Sequence, residues 1–465
     1  MFPLPLADAA AWDAQLTYRT ARAAAVEATA SGVHWTYAPM VDIARDPRWG
    51  RVAEGAGEDP FLGSILAAAR VRGFHGAGPP DISYMMATAK HFIAYGAGEG
   101  GRDYNVADLS ERTVREVHLP PFRAAVAAGV DAIMPAFSEF AATPMHSNKA
   151  LLTGLLRQQE GFTGIIVSDY IAVRELIQHG IARTEADASL LALNAGVDVE
   201  MASQTYRQNL PTLAHNNQVS LTQVDDAVRR ILKAKQRLGL FDDPYRYSDA
   251  IRETNNVLTP QHRALAREAG QKFIVLLKNN RSVGQIPIYY AHKNTCRPNS
   301  NADGLPDIFS SNYMDINQAP AYPFGFGLSY TTFAYSMPRL STQRLASNQS
   351  LTVEVTVTNT GKRAGDEIVQ LYLRDDVASV TRPVRQLRGF HTVHLAPGEA
   401  QSVTFTLDQK DFALLDMNLS PMVEAGTFTV FVGADSTATH QAQFEVTDSR
   451  QLSIAGQSVP PVQPN

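Results

Sequence analysis

The segment at residues 164–170 is a short apolar run that ends in an acid. Its sequence, GIIVSDY, places three β-branched residues directly before Ser168 and Asp169. An unbroken apolar run of this length predicts a strand buried on both faces, as in a parallel sheet. An unpaired charge inside such a strand would be costly. Asp169 is therefore expected at the carboxyl end of the strand, where parallel α/β barrels carry their catalytic groups.

Two roles are open for Asp169 on this stretch alone. Residues 171–178, IAVRELIQ, have the character of a helix. Asp is a favourable N-cap because its carboxylate accepts from the free N–H groups of the first turn. Helix capping and catalysis therefore remain as alternatives until other segments are considered.

The first half of the chain alternates between strand-like and helix-like segments. Strand-like segments are predicted at residues 34–42, 85–91, 132–137, 164–170 and 197–201. Helical spacing occurs at residues 21–31, 62–75, 111–128 and 221–238. This alternation predicts a parallel sheet with crossover helices. About five strands are fewer than the eight that close a barrel.

From about residue 331 the pattern changes to period two. Apolar and polar residues alternate at residues 350–359, 368–373, 402–407 and 427–433, with turn-forming sequences between them. Short strands at this spacing predict a β-sandwich. The preceding region is irregular, apart from a helix that runs into a strand at residues 265–278, and the residues after about 450 are predicted to form a loose tail.

Composition excludes several classes of function. The 465 residues carry a net charge of −5, so no basic face for nucleic acid is expected. The single cysteine, Cys296, can form neither an internal disulfide nor a cysteine-rich metal site. No apolar run approaches the roughly 18 residues of a membrane span. The first residues lack the order of a signal peptide, and neither a metal nor a cofactor is expected.

Several motifs resemble those of glycoside hydrolase family 3, in the form found in bacterial β-glucosidases of the periplasmic type. Residues 155–169, LLRQQEGFTGIIVSD, resemble the family's active-site signature. Residues 46–51 (DPRWGR) and 89–92 (AKHF) resemble its sugar-binding motifs. Residues 322–330 resemble the lead-in to its C-terminal domain.

The resemblance implies a multidomain protein with an α/β part followed by an all-β part. The implied domains are an incomplete (β/α)8 TIM-type barrel at residues 1–243, a linker with a remnant of an α/β sandwich domain at 244–330, a fibronectin type III-like β-sandwich at 331–450 and a tail at 451–465. The resemblance also leads us to expect that the family's first barrel strands, with an Asp that holds the sugar's distal hydroxyls, are absent. Residues 278 and 283 are nearly adjacent where relatives contain a whole domain.

The resemblance also implies a role for each candidate site residue. Asp169 is the nucleophile, and Arg48, Lys90 and His91 bind the sugar. Tyr170 stacks on a second sugar. Arg51 is expected to support the DPRWGR loop instead of binding substrate.

Each of these residues also has a plainer interpretation. Arg48 could form a structural pair with Asp46, with Trp49 packed on it. His91 could be a buried histidine satisfied by backbone groups, and Tyr170 could pack on the edge of the barrel. Four further acids, Glu58, Asp59, Glu99 and Glu139, are expected to be solvated or structural.

Two related functions are disfavoured by the sequence. A metal site at His91, Asp169 and Glu200 lacks a short ligand spacing. Relatives that cleave N-acetylglucosaminides use a KHFPGHG loop, whereas residues 90–96 here read KHFIAYG.

The function that the resemblance implies is a retaining exo-hydrolase of terminal, non-reducing β-D-glucosyl residues, impaired by truncation. The substrate is a β-glucoside or an oligosaccharide. In relatives the acid/base is a Glu of the second domain, so no residue is assigned to that role here. The alternative is a catalytically inactive remnant or sugar-binding protein. Relatives are mostly periplasmic or secreted, but compartment and oligomeric state are not predicted.

Overall fold

The computed structural model describes residues 2–275, 288–293 and 319–452. These residues form two compact units that divide between Ile274 and Val275. Cys296, the junction at residues 278–283 and most of the predicted tail, residues 453–465, lie outside the described residues.

The first unit is built on a parallel sheet. Its strands are β1 (Thr88–Phe92), β2 (Ala132–Pro135), the short hairpin β3 (Glu139–Phe140) and β4 (Thr143–Pro144), β5 (Ile165–Tyr170) and β6 (Val199–Met201). The order in the sheet is β1-β2-β5-β6, with parallel pairing throughout. The predicted strands at residues 85–91, 132–137, 164–170 and 197–201 are confirmed.

Residues 34–42 run beside β1 as an edge segment. They form parallel bridges at Trp35–Met86, just before β1, and at Met40–Lys90, and between these the Thr88 N–H donates to the Ala38 carbonyl. Pro39 lies between the two bridges and has no N–H for a sheet hydrogen bond. The predicted strand is therefore present as extended backbone with an interrupted hydrogen-bond ladder.

Helices cover the sheet. They are α1 (Pro5–Ala11), α2 (Ala14–Ala30), α3 (Pro60–His75), α4 (Glu111–Thr113), α5 (Leu119–Ala127), α6 (Ala172–Glu175), α7 (Glu185–Ala195), α8 (Thr205–His215), α9 (Leu221–Arg237), α10 (Ala250–Asn256) and α11 (Pro260–Lys272). Two π-helical stretches, Val114–His118 and Ala150–Gln159, join this set. The predicted helices at residues 21–31, 62–75, 111–128 and 221–238 are confirmed. Across residues 2–275 and 319–452, no helix has the length and apolar character of a membrane span.

Side chains of the sheet alternate between two cores. Ala89, Ile133 and Ile166 occupy one cross-strand row and join the core formed with α2, α3, α5 and α7. Ala132 and Ile165 occupy the next row and join a second core that includes α9. Both faces are thus buried, as the uninterrupted apolar run of β5 predicts.

The helices α10 and α11 pack on α2 mainly through polar contacts. Arg252 donates to the backbone carbonyl of Thr29 at 2.6 Å, and Lys272 pairs with Asp13 at 2.8 Å. Polar packing of this kind leaves little apolar periodicity in the sequence. This explains why α11 was predicted in part and α10 was not.

The amino ends of two strands carry buried aspartates. Asp131, before β2, accepts from the Ala87 N–H and from His75 Nε2, at 2.9 and 2.8 Å, and also from Tyr84 and Arg237. Asp198, before β6, accepts from the Ile166 N–H at 2.8 Å and pairs with two arginines. These clusters tie strands and helices together at the end of the sheet opposite Asp169.

Gly164 allows β5 to begin close to its neighbour. A Cβ at this position would overlap the carbonyl oxygen of Asp131 and lie 2.7 Å from the ring of Phe162. We expect Gly164→Ala to destabilise the first unit by about 1–3 kcal/mol, because backbone on a buried strand cannot move aside cheaply. Urea unfolding followed by tryptophan fluorescence measures this loss.

The matched control for this prediction is Gly270→Ala in α11. A Cβ there meets nothing within 4 Å, and alanine is favoured over glycine in a helix by about 0.5–1 kcal/mol. A Gly164→Ala protein as stable as the wild type would show that the β5 start tolerates a side chain.

The second unit is a β-sandwich. Its strands are β7 (Phe333–Tyr335), β8 (Arg339–Leu340), β9 (Arg344–Leu345), β10 (Leu351–Asn359), β11 (Gly365–Asp375), β12 (Gln386–Leu395), β13 (Ala400–Leu407), β14 (Leu414–Leu415), β15 (Pro421–Val423), β16 (Gly426–Gly433), β17 (His440–Val446) and β18 (Arg450–Gln451), with a short helix α12 (Gln409–Phe412). One main sheet has the order β13-β10-β7 and the other β12-β11-β16-β17-β9. Inward residues such as Val355 and Leu371 fill one core between them. The β-sandwich that the period-two pattern predicted is thereby confirmed.

Candidate active site

Asp169 lies at the carboxyl end of β5, and its side chain is only 14% exposed. One carboxylate oxygen, Oδ1, accepts from the N–H of Tyr170 at 2.7 Å. The following helix α6 begins at Ala172, its preceding residue is Ile171, and no side chain caps it. The capping alternative for Asp169 is therefore excluded, and Oδ2 faces His91 at the end of β1.

His91 lies at the end of β1 and connects two carboxylates. Its ring is 1% exposed, Nδ1 lies 2.9 Å from Asp42 Oδ2, and Nε2 lies 3.6 Å from Asp169 Oδ2. The backbone N–H of His91 donates to the same oxygen of Asp42. The 3.6 Å between His91 Nε2 and Asp169 Oδ2 is a close contact and not a hydrogen bond.

Arg51 determines how the His91 ring is used. Its Nη2 lies 3.2 Å from His91 Nε2. A guanidinium can only donate, so Nε2 of His91 accepts this hydrogen bond. The ring proton is then on Nδ1, which donates to the Asp42 carboxylate. Burial disfavours the charge of Arg51 and is the largest single influence on it. The hydrogen bond to Glu54, with Nε–Oε1 at 2.7 Å, the charge of Glu54 and the interaction with Tyr95 together exceed this effect and raise the pKa of the guanidinium.

Lys90 shares Glu54 with Arg51. The distance from Lys90 Nζ to Glu54 Oε2 is 3.9 Å, and the lysine side chain is 19% exposed. The hydrogen bond from Arg51, with smaller help from the charges of Lys90 and His91, lowers the pKa of Glu54 in spite of its partial burial. Two cationic groups are thus held beside Glu54, close to the end of β1 that carries His91.

Two predicted residues lie further out. Arg48 is 60% exposed, and its Nη2 pairs with Asp46 Oδ2 at 2.6 Å. The structure brings Arg51, and not Arg48, to His91, although the sequence assigned Arg51 to the loop. Tyr170 is 61% exposed, so its ring is open to a ligand.

His146 is a site residue that the sequence did not single out. It lies on a short helical turn, Met145–Ser147, and is 3% exposed. Its Nε2 accepts from the backbone N–H of Asp169 at 3.1 Å. Burial, with the charges of His179 and His91 added, lowers the pKa of His146 to about 3. The sequence signal that could have indicated His146 is its place in the loop after β2, because the carboxyl ends of parallel strands lie at one edge of the sheet.

The remaining acids near this edge have other surroundings. Glu200 accepts from Ser203 and from Thr205, and Glu139 lies on the β3–β4 hairpin. Burial raises the pKa of Glu175 on α6, with a further contribution from the charge of Asp169 that the nearby His179 opposes. Across the part of the chain that the structure describes, no three His, Cys, Asp or Glu side chains form a metal-binding group.

The arrangement suits covalent catalysis. A partly exposed carboxylate at the carboxyl edge of a parallel sheet can attack an electrophilic carbon, and fixed donors beside it can hold hydroxyl groups of a substrate. A parallel sheet with such a carboxylate, followed by a β-sandwich, is the pair of units that the resemblance to family 3 glycoside hydrolases implies.

Comparison with known proteins identifies the family. Residues 1–234 match the model of the glycosyl hydrolase family 3 N terminal domain, and residues 367–436 match the fibronectin type III-like domain. The chain belongs to glycoside hydrolase family 3.

Relatives resemble the chain over nearly its whole length. It is 30% identical to a periplasmic beta-glucosidase of Salmonella typhimurium, over 96% of this chain and 84% of the relative. It is 31% identical to a beta-xylosidase of Formosa agariphila, over 94% and 86%. The crystal structure of a beta-glucosidase from Listeria innocua in complex with glucose matches with a TM-score of 0.90 at 29% identity, over 96% and 86%.

The Salmonella alignment extends over more positions than this chain has residues. It spans 650 positions, against 465 residues in the chain. The relative therefore contains interior residues that have no counterpart here.

Proposed function

We propose that this protein is a retaining β-glycosidase that acts on terminal, non-reducing β-D-glucosyl units. The observation that carries the proposal is the Asp169 carboxylate, which lies beside His91 at the sheet edge and caps no helix. The beta-glucosidases among the relatives support glucose as the sugar. The beta-xylosidase relative makes a β-D-xylosyl unit the second candidate.

Asp169 is the nucleophile in the proposed reaction. Its free carboxylate oxygen bonds to the anomeric carbon as the bond from that carbon to the aglycone oxygen breaks, and the departing oxygen takes a proton. Water then attacks the same carbon, loses its proton and releases the sugar with its original configuration.

Lys90, His91, Arg48 and Tyr170 bind the sugars in this proposal. Lys90 is held at the edge by Glu54 and can donate to hydroxyls, while His91, fixed by Asp42 and Arg51, can contact the sugar through its ring. The pair of Arg48 with Asp46 is exposed and its attraction is screened by water, so sugar hydroxyls can replace it. The exposed ring of Tyr170 offers an apolar face for stacking.

The general acid/base is left unassigned, and this limits the proposed activity. We infer that the interior residues missing relative to the Salmonella protein include the domain that carries this Glu in the family. Loss of a general acid costs typically about 10²–10⁴-fold. The parallel sheet is, in this proposal, part of a barrel of the (β/α)8 type, of which the described residues supply four strands and an edge segment.

A trapping experiment tests the proposed function. The full chain is incubated with an activated 2-deoxy-2-fluoro-β-D-glucoside and, separately, with the corresponding xyloside, and the labelled peptide is identified by mass spectrometry. A glycosyl adduct on Asp169 is expected, faster with the preferred sugar. A protein that binds glucose but acquires no label, or acquires it elsewhere, would instead be a sugar-binding remnant or use another nucleophile.

We expect turnover to depend steeply on the leaving group and to be accelerated by azide. Without an acid, departure of the aglycone slows as its basicity rises, and without a base the glycosyl-enzyme is hydrolysed slowly. Azide needs no base and should give the β-glycosyl azide. Rates with a series of aryl β-glucosides, with and without azide, measure both effects.

Glu175→Gln provides the internal comparison for this series. Glu175 is the carboxyl group to test as a proton donor, because its pKa is raised and the charge of Asp169 contributes to that rise. A flat dependence on the leaving group in the wild type, lost in Glu175→Gln, would contradict the absence of an acid.

A further inference from the structure

We propose that His146 is a positioning residue that fixes the nucleophile through the backbone N–H of Asp169. This inference rests on the proposed role of Asp169 and adds a residue to the same site. The contact is made by Nε2 of the imidazole, 3.1 Å from the Asp169 nitrogen.

The sheet itself does not hold this N–H. Pairing between β2 and β5 is limited to Ala132–Ile165 and Ile133–Ile166, so the ladder stops before Asp169. The pairing of β5 with β6 is also irregular between Val167 and Tyr170. A backbone donor beyond the end of a ladder needs another acceptor, and the structure supplies it from the His146 side chain.

The turn that carries His146 is anchored on both sides. The N–H of Met145 donates to the Ser138 carbonyl at 3.1 Å, and the Met145 side chain is fully buried. On the other side, Asn148 Oδ1 accepts from the Leu151 N–H at 3.0 Å at the start of the π-helix. The imidazole is therefore delivered by a rigid support that connects the loop after β2 to the end of β5.

The acceptor role requires a neutral ring. A protonated imidazole has donors at both nitrogens and could not accept from Asp169. Burial keeps His146 uncharged to a pH of about 3, so Nε2 stays available across the range in which a carboxylate nucleophile is ionised.

The effect on catalysis follows from the position of this bond. Oδ1 of Asp169 accepts from the next N–H in the chain, at Tyr170, so the peptide unit on each side of the Asp169 Cα is fixed by a hydrogen bond. Without His146 the strand end can rotate, and a shift of about 1 Å in a reacting group can cost 10²-fold in rate. Sugar binding, which uses other side chains, should change little.

The test compares His146→Gln with His146→Leu. Glutamine places an amide oxygen near the position of Nε2 and should accept the same N–H, whereas leucine fills the space with no acceptor. We measure the rate of Asp169 labelling by the activated fluoroglucoside, and the inhibition constant of glucose, with His215→Leu on the exposed end of α8 as control.

We expect the labelling rate to fall about 10–100-fold in His146→Leu and to stay within about 3-fold of the wild-type rate in His146→Gln. The inhibition constant of glucose should be unchanged in both variants. Equal rates in wild type and His146→Leu would overturn the inference. Equal losses in both variants would also overturn it, because a merely structural role gives no rescue by glutamine. A wild-type protein that is not labelled at all refutes the proposed function instead.

Discussion

Replacing Asp169 with asparagine is expected to abolish turnover of an activated aryl β-glucoside. Asparagine keeps the size and the acceptor oxygen that faces the Tyr170 N–H, but a neutral amide cannot form the glycosyl-enzyme. Removal of a covalent nucleophile costs on the order of 10⁴–10⁶-fold in kcat. Initial rates, with the loss in kcat and not in KM, measure the effect.

Azide makes this test specific. In a parallel Asp169→Gly variant, which leaves room for the anion, azide can attack the anomeric carbon in place of the carboxylate, and the product is then the α-glycosyl azide. In the wild type, azide attacks the glycosyl-enzyme and gives the β-anomer. Nuclear magnetic resonance of the products therefore distinguishes loss of the nucleophile from loss of the acid.

The control for this variant is Asp225→Asn on α9. Asp225 is exposed and lies on a helix that carries none of the proposed site residues, so its removal should leave activity unchanged. Substantial residual turnover in Asp169→Asn, with the β-azide as product, would assign the covalent step to another carboxylate.

Replacing Asp131 with alanine is expected to cost about 3–5 kcal/mol of the stability of the first unit. The Asp131 side chain is fully buried and accepts from His75, Tyr84, Arg237 and the Ala87 N–H. Removing one partner of a buried charged cluster leaves the others uncompensated. Arg237 is half exposed and can turn to water, so the loss comes mainly from the buried donors.

Urea unfolding followed by tryptophan fluorescence measures this change selectively. The three tryptophans, Trp12, Trp35 and Trp49, all lie in the first unit, so the signal is independent of the β-sandwich. Asp225→Ala serves as control, since exposed substitutions usually change stability by less than about 0.5 kcal/mol. A loss below about 1 kcal/mol for Asp131→Ala would show that the cluster does not hold the strand ends together.

Local patterns predicted the elements that the apolar residues define. The strand ending at Asp169 follows from its β-branched run, and the sandwich strands follow from their alternation. Contacts between distant segments could not be predicted in the same way. His146 reaches Asp169 from a turn 23 residues earlier, and no spacing rule connects a side chain to a backbone donor on another strand.

The two arginines of the DPRWGR motif show a second limit. Arg48 and Arg51 lie on one turn, and nothing in their local sequence decides which of them faces the site. In the structure Arg48 pairs with Asp46 and is exposed to solvent, whereas Arg51 pairs with Glu54 and lies beside His91. Which acid each arginine selects depends on the three-dimensional course of the loop, which the motif alone does not fix.

The buried aspartates and the proposed nucleophile occupy opposite ends of the same strands. Asp131 and Asp198 secure the amino ends, whereas the buried Asp42 at the other end holds His91 beside Asp169. Folding and chemistry are therefore encoded in separate sets of positions. Substitutions in the loops at one end can therefore alter substrate preference without disturbing the contacts that secure the scaffold at the other.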